Sequence, residues 1–133
     1  MLFKRKKKKE FHLTPEEARQ VIQEHWEYAR RFAEQGNVAG MEMALEVVIN
    51  YSHAINEVVN RDEINRLKLI GYERGIENLS TRIDALRLEG KNEEADRLMT
   101  LVRSYRREAA SIRDEMERRE RMRRKRFKPE VEI

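Results

Sequence analysis

Residues 69–116, LIGYERGIENLSTRIDALRLEGKNEEADRLMTLVRSYRREAASIRDEM, contain the pattern that decides the fold. Apolar side chains recur at alternating spacings of three and four residues on both sides of a turn at residues 90–92. They are Leu69, Tyr72, Ile76, Leu79, Ile83 and Leu86 before the turn, and Ala95, Leu98, Val102, Tyr105, Ala109, Ile112 and Met116 after it. This spacing gives each helix one apolar stripe, and it predicts that the two helices pair as an antiparallel coiled-coil hairpin.

The first half of the chain predicts a second, less regular helical hairpin. Thr14-Pro15-Glu16-Glu17 has the sequence of a capping box, with Thr14 as N-cap and Glu17 as its reciprocal partner. Gly36-Asn37 ends this first helix, and a second helix follows. No segment shows the strict alternation of a β-strand, so the predicted fold class is all-α, with two helical hairpins. The four predicted helices cover about 15–35, 38–60, 62–89 and 92–116.

The junction between the two halves permits two arrangements. Asp62 could cap a new helix, which gives a four-helix bundle. Alternatively, helices two and three continue as one rod of about 50 residues, about 75 Å long. In both arrangements the two glycine turns bring residues 15 and 124 to the same region, near residue 58.

Charge is sorted unevenly along the chain. Residues 11–116 hold 15 basic and 20 acidic residues, whereas the two ends hold the other 14 basic ones. These are Lys4, Arg5, Lys6, Lys7, Lys8, Lys9, Arg118, Arg119, Arg121, Arg123, Arg124, Lys125, Arg126 and Lys128. We therefore divide the chain into a basic N-terminal arm (1–13), a helical body (14–116) and a basic helical extension with a C-terminal tail (117–133).

The basic ends favour nucleic acid as the partner. Clustered Lys and Arg side chains neutralise phosphates and release counterions, and Arg binds phosphate bidentately. We therefore predict that the 14 basic residues bind nucleic acid, largely without regard to its sequence. Two other interpretations stay open. The ends could be solubilising tails on a coiled-coil adaptor protein, or they could attract the protein to an anionic membrane surface, as four to eight clustered basic residues do.

No catalytic or metal site is predicted. The chain has no Cys, and none of His12, His25 and His53 lies in a metal-binding motif. The five glycines form no phosphate-binding loop. We therefore expect no enzymatic activity, no cofactor, no metal and no small-molecule substrate. Because no secretory signal and no apolar run of roughly 18 residues is present, we expect an intracellular protein and no spanning segment.

Five residues off the apolar stripes are candidates for subunit contacts. Gly71 and Gly75 form a GxxxG motif, which allows close approach of a neighbouring subunit or of a nucleic-acid strand. Packing against helix one or two of the same chain would explain them equally well. Ile70, Leu88 and Leu101 also lie off the stripes, and they predict self-association into an oligomer or filament.

In layout the chain resembles the capsid proteins of archaeal rod-shaped and filamentous DNA viruses. The local matches are KRKKKK in the N-terminal arm and RMRRKRF near the C-terminus of a short, Cys-free chain. The resemblance implies small helical subunits that assemble along double-stranded DNA, enclose it and hold it in an A-like form. It also implies that residues 4–9 and 118–128 face the DNA, and that the protein occurs in the virion or in the host cytoplasm. The regular heptads of residues 69–116 depart from the family's pattern.

Overall fold

The computed structural model of the protein describes residues 12–127. It contains four helices: α1 (Pro15–Gln35), α2 (Val38–Ala54), α3 (Arg61–Leu88) and α4 (Asn92–Phe127). The described residues include no strand, so the prediction of an all-α fold with four helices is confirmed. α3 is the central helix, since it packs against each of the other three. The basic residues at positions 4–9 and Lys128 lie outside the described residues.

α1 begins with the predicted capping box. The Thr14 hydroxyl accepts a hydrogen bond from the Glu17 N–H at 3.1 Å, and the Glu17 carboxylate accepts one from the Thr14 N–H at 2.9 Å. Pro15 occupies the first turn, where its missing N–H has no intrahelical partner to lose. These contacts satisfy two backbone donors and fix the start of the helix.

α1 and α3 end in the same backbone motif. Gly36 and Gly90 follow them with φ of 73° and 79°, in the left-handed region that favours glycine. In both turns the N–H of the residue after the glycine donates to the carbonyl oxygen five residues earlier, at 2.8 Å. This is the Schellman motif, which satisfies the last carbonyl groups of a helix and reverses the chain.

The prediction that the second helix covers 38–60 is wrong at its C-terminal end. α2 stops at Ala54 because Asn56 adopts φ of 58° and takes the place that glycine has in the other two turns. The Glu57 N–H donates to the Ser52 carbonyl oxygen at 2.8 Å, which completes the same motif. The single-rod arrangement is therefore wrong, and helices two and three are separate.

α3 begins one residue earlier than predicted and is capped by a different side chain. The Asn60 side chain accepts a hydrogen bond from the Glu63 N–H at 3.1 Å. Asp62 lies inside the first turn of α3 and does not cap it. Its carboxylate is therefore free to face α4.

The central core lies where α3 meets the other helices. Met41, Leu45 and Ile64 are its largest fully buried apolar side chains. The buried residues of this core come from all four helices: Ala29, Ala33, Val38, Met41, Ala44, Leu45, Ile64, Tyr72, Ala109 and Ile112.

Two tyrosines connect three helices within the central core. The Tyr72 hydroxyl donates to the Glu42 carboxylate of α2, and the Tyr72 ring meets the Tyr105 ring of α4 edge-on at 5.3 Å. Burial raises the pKa of both phenols, and the Glu42 carboxylate raises it further. Both tyrosines therefore stay neutral donors throughout the physiological range.

A second, smaller core lies entirely between α3 and α4. Its buried members are Ile83, Leu86, Ala95 and Val102. The α1–α2 turn reaches α3 at Asn78, whose side chain donates to the Gln35 carbonyl oxygen at 2.9 Å. Residues 79–104 therefore extend past this turn as a two-helix unit, which we call the distal segment.

Gly71 and Gly75 are used within the chain, so their assignment as subunit contacts is corrected. Both are buried. A Cβ on Gly71 would overlap the Met41 sulfur, and one on Gly75 would lie 3.2 Å from the Val38 side chain. Because these glycines admit α1 and α2 close to α3, neither is open to a second subunit.

Candidate nucleic-acid interface

The two ends of the described chain lie at the same end of the molecule. Near the start of α1, the Arg19 guanidinium contacts the Glu57 carboxylate at 2.6 Å. Near the end of α4, the Arg123 guanidinium contacts the Asp62 carboxylate at 3.0 Å. Both carboxylates belong to the α2–α3 junction or the residues beside it. We call this region, with the first turns of α1 and the last turns of α4, the basal end.

The last turns of α4 carry the basic residues of the C-terminal prediction. α4 runs without a break through residue 127, and we call residues 117–127 the α4 extension. Seven of its side chains are basic, and all seven are exposed: Arg118, Arg119, Arg121, Arg123, Arg124, Lys125 and Arg126. They form shallow clefts on two sides of Met122, which is 56% exposed. The α4 extension is thus a helix end with cationic side chains all around it.

The line of apolar contacts between α3 and α4, which we call the seam, becomes polar at the basal end. Beyond Met116, the three- and four-residue spacing of α4 continues at Arg119 and Arg123. Before Leu69, the same spacing in α3 continues at Asn65 and Asp62. We call Asp62, Asn65, Glu115, Arg119 and Arg123 the polar layer. Asp62, Asn65 and Glu115 are not among the predicted site residues, although the continued spacing points to the first two.

Asp62 is the centre of the polar layer. One of its carboxylate oxygens accepts from Arg119 Nε and the other from Arg123 Nη1, each at 3.0 Å. The hydrogen bond from Arg119 lowers the pKa of Asp62, and the charges of Arg123 and Arg66 lower it further against the opposing effect of burial. Asp62 therefore stays ionised and holds the α4 extension to the first turn of α3.

Glu115 and Asn65 form the other half of the polar layer. Arg61 Nε donates to the Glu115 carboxylate at 3.1 Å, and this contact, followed by the nearby Asn65 amide, lowers the pKa of Glu115. Asn65 is only 2% exposed. Its amide nitrogen faces this carboxylate without the geometry of a hydrogen bond, and it has no other partner within residues 12–127. The seam therefore contains a buried amide where the distal segment has apolar side chains.

The seven basic residues of the α4 extension fall into three groups. Arg119 and Arg123 are bonded to Asp62, and Arg123 also contacts the Glu120 carboxylate at 3.2 Å. Arg121 and Arg124 contact carboxylates one turn earlier in α4, at 3.9 and 3.3 Å. Arg118, Lys125 and Arg126 contact no carboxylate in the described part of the chain. Exposed pairs along one helix contribute little free energy, so the second group can exchange partners easily.

The remaining candidates for subunit contacts lie on the outer surfaces of α3 and α4. Ile70, Leu88 and Leu101 are 46%, 90% and 39% exposed. Leu88 is the last residue of α3, and Leu101 is in the distal segment. The three side chains are therefore accessible, in contrast to the two glycines.

Metal sites and membrane-spanning helices are both absent from the described residues. Residues 12–127 contain no group of three or more His, Asp or Glu side chains placed to hold a metal ion. None of the four helices of this region combines the length and the apolar character that crossing a membrane requires.

Comparison of the chain with protein-family models, with curated proteins and with solved structures found no significant match. Function is therefore inferred from the charge and geometry of the basal end.

Proposed function

We propose that the protein is a structural, largely sequence-independent nucleic-acid-binding protein that coats or packages double-stranded DNA. One observation carries the proposal: seven exposed basic side chains crowd onto the α4 extension, where two acidic residues accompany them. The distal segment instead holds five basic and five acidic residues. This difference concentrates positive charge at the basal end, where α1 also begins.

The chemistry of the α4 extension suits the DNA backbone. Duplex DNA carries one negative charge per ~1.7 Å of its axis, and each phosphate that is neutralised releases condensed counterions. Arg118, Lys125 and Arg126 can contact phosphates without first leaving a described carboxylate. A helix end surrounded by Arg and Lys recognises the backbone rather than base edges, so we expect little sequence preference.

The pairing of α3 with α4 suits a coat subunit. We infer that these helices form an antiparallel coiled-coil hairpin. Supporting contacts are Arg87 to Asp96 near the turn, Glu73 to Arg113 further along, and Asp62 to Arg119 at the basal end. Such a hairpin is stiff, and it separates the phosphate-binding end from the distal segment. Leu88 and Leu101 are then available for contacts between subunits, in line with the resemblance to viral capsid proteins.

Titration of a fluorescent mixed-sequence duplex at low salt tests the proposal. We expect saturable binding that weakens steeply as salt is added, because the interaction is dominated by counterion release. Electron micrographs with and without DNA test the coating function, for which filaments are expected only when DNA is present. Absence of duplex binding at low salt would refute the proposed function.

A coiled-coil adaptor protein is the second candidate. The observation that favours it is the exposure of Leu88 and Leu101 on a two-helix segment that α1 and α2 leave uncovered. Deletion of residues 1–10 separates the two candidates. An adaptor would keep its protein partner after the deletion, whereas a DNA-coating protein would lose affinity for the duplex because six basic residues are removed.

A further inference from the structure

We propose that Asp62 is an internal competitor for phosphate, which holds Arg119 and Arg123 in the free protein and gives them up when nucleic acid binds. The inference rests on the proposed function and adds a regulatory contact to the same site. On this proposal, fewer than seven of the basic side chains of the α4 extension are available to phosphate in the free protein.

The geometry at Asp62 matches what the two arginines would make with a phosphate. Each carboxylate oxygen accepts one guanidinium N–H at 3.0 Å, from Arg119 on one side and Arg123 on the other. Carboxylate and phosphate oxygens are alternative acceptors for the same arginine donors. A backbone phosphate at this position could therefore replace Asp62 without a new side-chain arrangement.

The contact is accessible to a competing anion. The side chain of Asp62 is 29% exposed, and those of Arg119 and Arg123 are 45% and 43% exposed. A cleft lined by Arg118, Arg119, Met122, Arg123 and Arg126 opens beside it. A phosphate that enters this cleft meets both arginines of the contact, together with two cations that have no described carboxylate partner.

Asp62 keeps favourable surroundings after the exchange. It lies in the first turn of α3, where the partial positive charge of the helix N-terminus stabilises a carboxylate. Arg66, one turn later in α3, adds a positive charge that acts on the same group. Release of the two arginines therefore does not leave an isolated buried charge, which makes the exchange reversible.

Asp62→Asn and Glu73→Gln provide a matched pair of variants. Both remove one negative charge from α3, and both free arginine on α4, since Glu73 is bonded to Arg113 at 2.6 Å. Only Asp62→Asn frees arginine of the α4 extension, since Arg119 loses its described carboxylate and Arg123 keeps only the Glu120 carboxylate, at 3.2 Å. Because the wild-type complex makes the same phosphate contacts once Asp62 has released the arginines, we expect Asp62→Asn to keep the wild-type log–log salt slope and to tighten duplex binding by up to about fivefold for each ion pair removed. Glu73→Gln should leave both the affinity and the salt slope near the wild-type values.

The possible outcomes separate this inference from the proposed function. Equal affinities for the two variants would overturn the inference alone, as would weaker binding by Asp62→Asn. The latter result would mean that Asp62 positions the arginines for DNA. Absence of wild-type binding at low salt would overturn the proposed function, and this inference with it.

Wild-type protein gives a second readout that does not depend on the folding of a variant. The pKa of Asp62 can be measured from its carboxyl carbon by NMR, with and without duplex DNA. Because the hydrogen bond from Arg119 lowers this pKa in the free protein, its loss should raise the pKa towards the ordinary value of about 3.9. An unchanged pKa in the DNA-bound protein would show that Asp62 keeps both arginines, and it would contradict the exchange.

Discussion

α3 and α4 pack against each other through apolar side chains in the distal segment and through polar side chains at the basal end. In the distal segment, α3 and α4 meet through Ile83, Leu86, Ala95 and Val102, none more than 5% exposed. At the basal end, the same three- and four-residue spacing places polar residues at these positions: Asp62, Asn65, Arg119 and Arg123. The spacing sets which positions face the partner helix, and the side chains at those positions set how strongly the contact is held.

The difference in chemistry separates stability from the proposed function along one pair of helices. Burial of an apolar side chain in the distal segment contributes about 1.5–3 kcal/mol. The ion pairs at the basal end are partly exposed, and such pairs contribute little net free energy. The distal segment therefore holds the helices together, while the arginines at the basal end remain free to change partners.

Truncation of the distal core should have the largest effect on stability. Leu86 is 3% exposed in the core between α3 and α4. Leu86→Ala removes buried apolar volume and leaves a cavity, so we expect the free energy of unfolding to fall by about 2–5 kcal/mol. Urea unfolding followed by circular dichroism measures it. Duplex binding by the folded variant should be unchanged, and a loss of affinity would contradict the separation of the two regions.

The two glycine turns offer a matched comparison of covered and uncovered regions. Gly90→Ala should cost about 1–2 kcal/mol for a left-handed residue, since nothing lies within 4 Å of the added Cβ. Gly36→Ala should cost about 1–3 kcal/mol more, because its Cβ would also lie 3.0 Å from the backbone of Arg74 and Gly75. Thermal unfolding of both variants measures the difference. Equal losses of stability in the two variants would mean that the α1–α2 turn is not in tight contact with α3.

Asn65→Leu replaces a buried amide between α3 and α4 at the basal end with an apolar side chain, like those of the distal segment. The buried amide nitrogen of Asn65 lacks a hydrogen bond, so an apolar replacement should raise the free energy of unfolding by about 1 kcal/mol. Asn78→Leu is the control, because it removes the hydrogen bond to the Gln35 carbonyl oxygen and should lower stability by about 1 kcal/mol. Destabilisation by both variants would show that Asn65 has a partner that stabilises the fold.

Acid should lower the free energy of unfolding through the carboxylates of the basal end, by less than the substitutions above. The pKa of Asp62 and that of Glu115 are both lowered in the folded protein, by Arg119 and Arg61 respectively. Their contribution to stability is therefore complete above the ordinary carboxyl pKa of about 4, and it is lost as the pH falls through the lowered values. Urea midpoints between about pH 7 and about pH 3 should fall less in Asp62→Asn than in wild type. An equal fall would place the acid-sensitive groups elsewhere.

Most of the fold could be predicted because helix ends and apolar stripes are local patterns. Thr14 and Glu17 define a capping box, and Gly36 and Gly90 mark turns, whichever helices surround them. The end of α2 was missed because asparagine is only an occasional substitute for glycine in the left-handed conformation. Asn56 therefore looked like an ordinary helical residue.

The candidate site was harder to predict because it depends on contacts between distant residues. Counting basic residues located the α4 extension but gave all seven the same role. The structure distinguishes them, since Arg119 and Arg123 face Asp62 whereas Arg118 has no described carboxylate partner. The role of Gly71 likewise depended on where Met41 of another helix would lie.

Salt titration of duplex binding tests the central claim most directly. It compares wild type with two triple variants that remove equal charge: Arg118→Gln/Lys125→Gln/Arg126→Gln at the basal end, and Arg82→Gln/Arg97→Gln/Arg103→Gln in the distal segment. All six side chains are exposed, and none contacts a carboxylate within residues 12–127.

The basal variant should lose about 0.9 of the log–log slope for each phosphate contact removed, or about 2.7 in total, whereas the distal variant keeps the wild-type slope. Equal slopes for the two variants would contradict a phosphate-binding basal end.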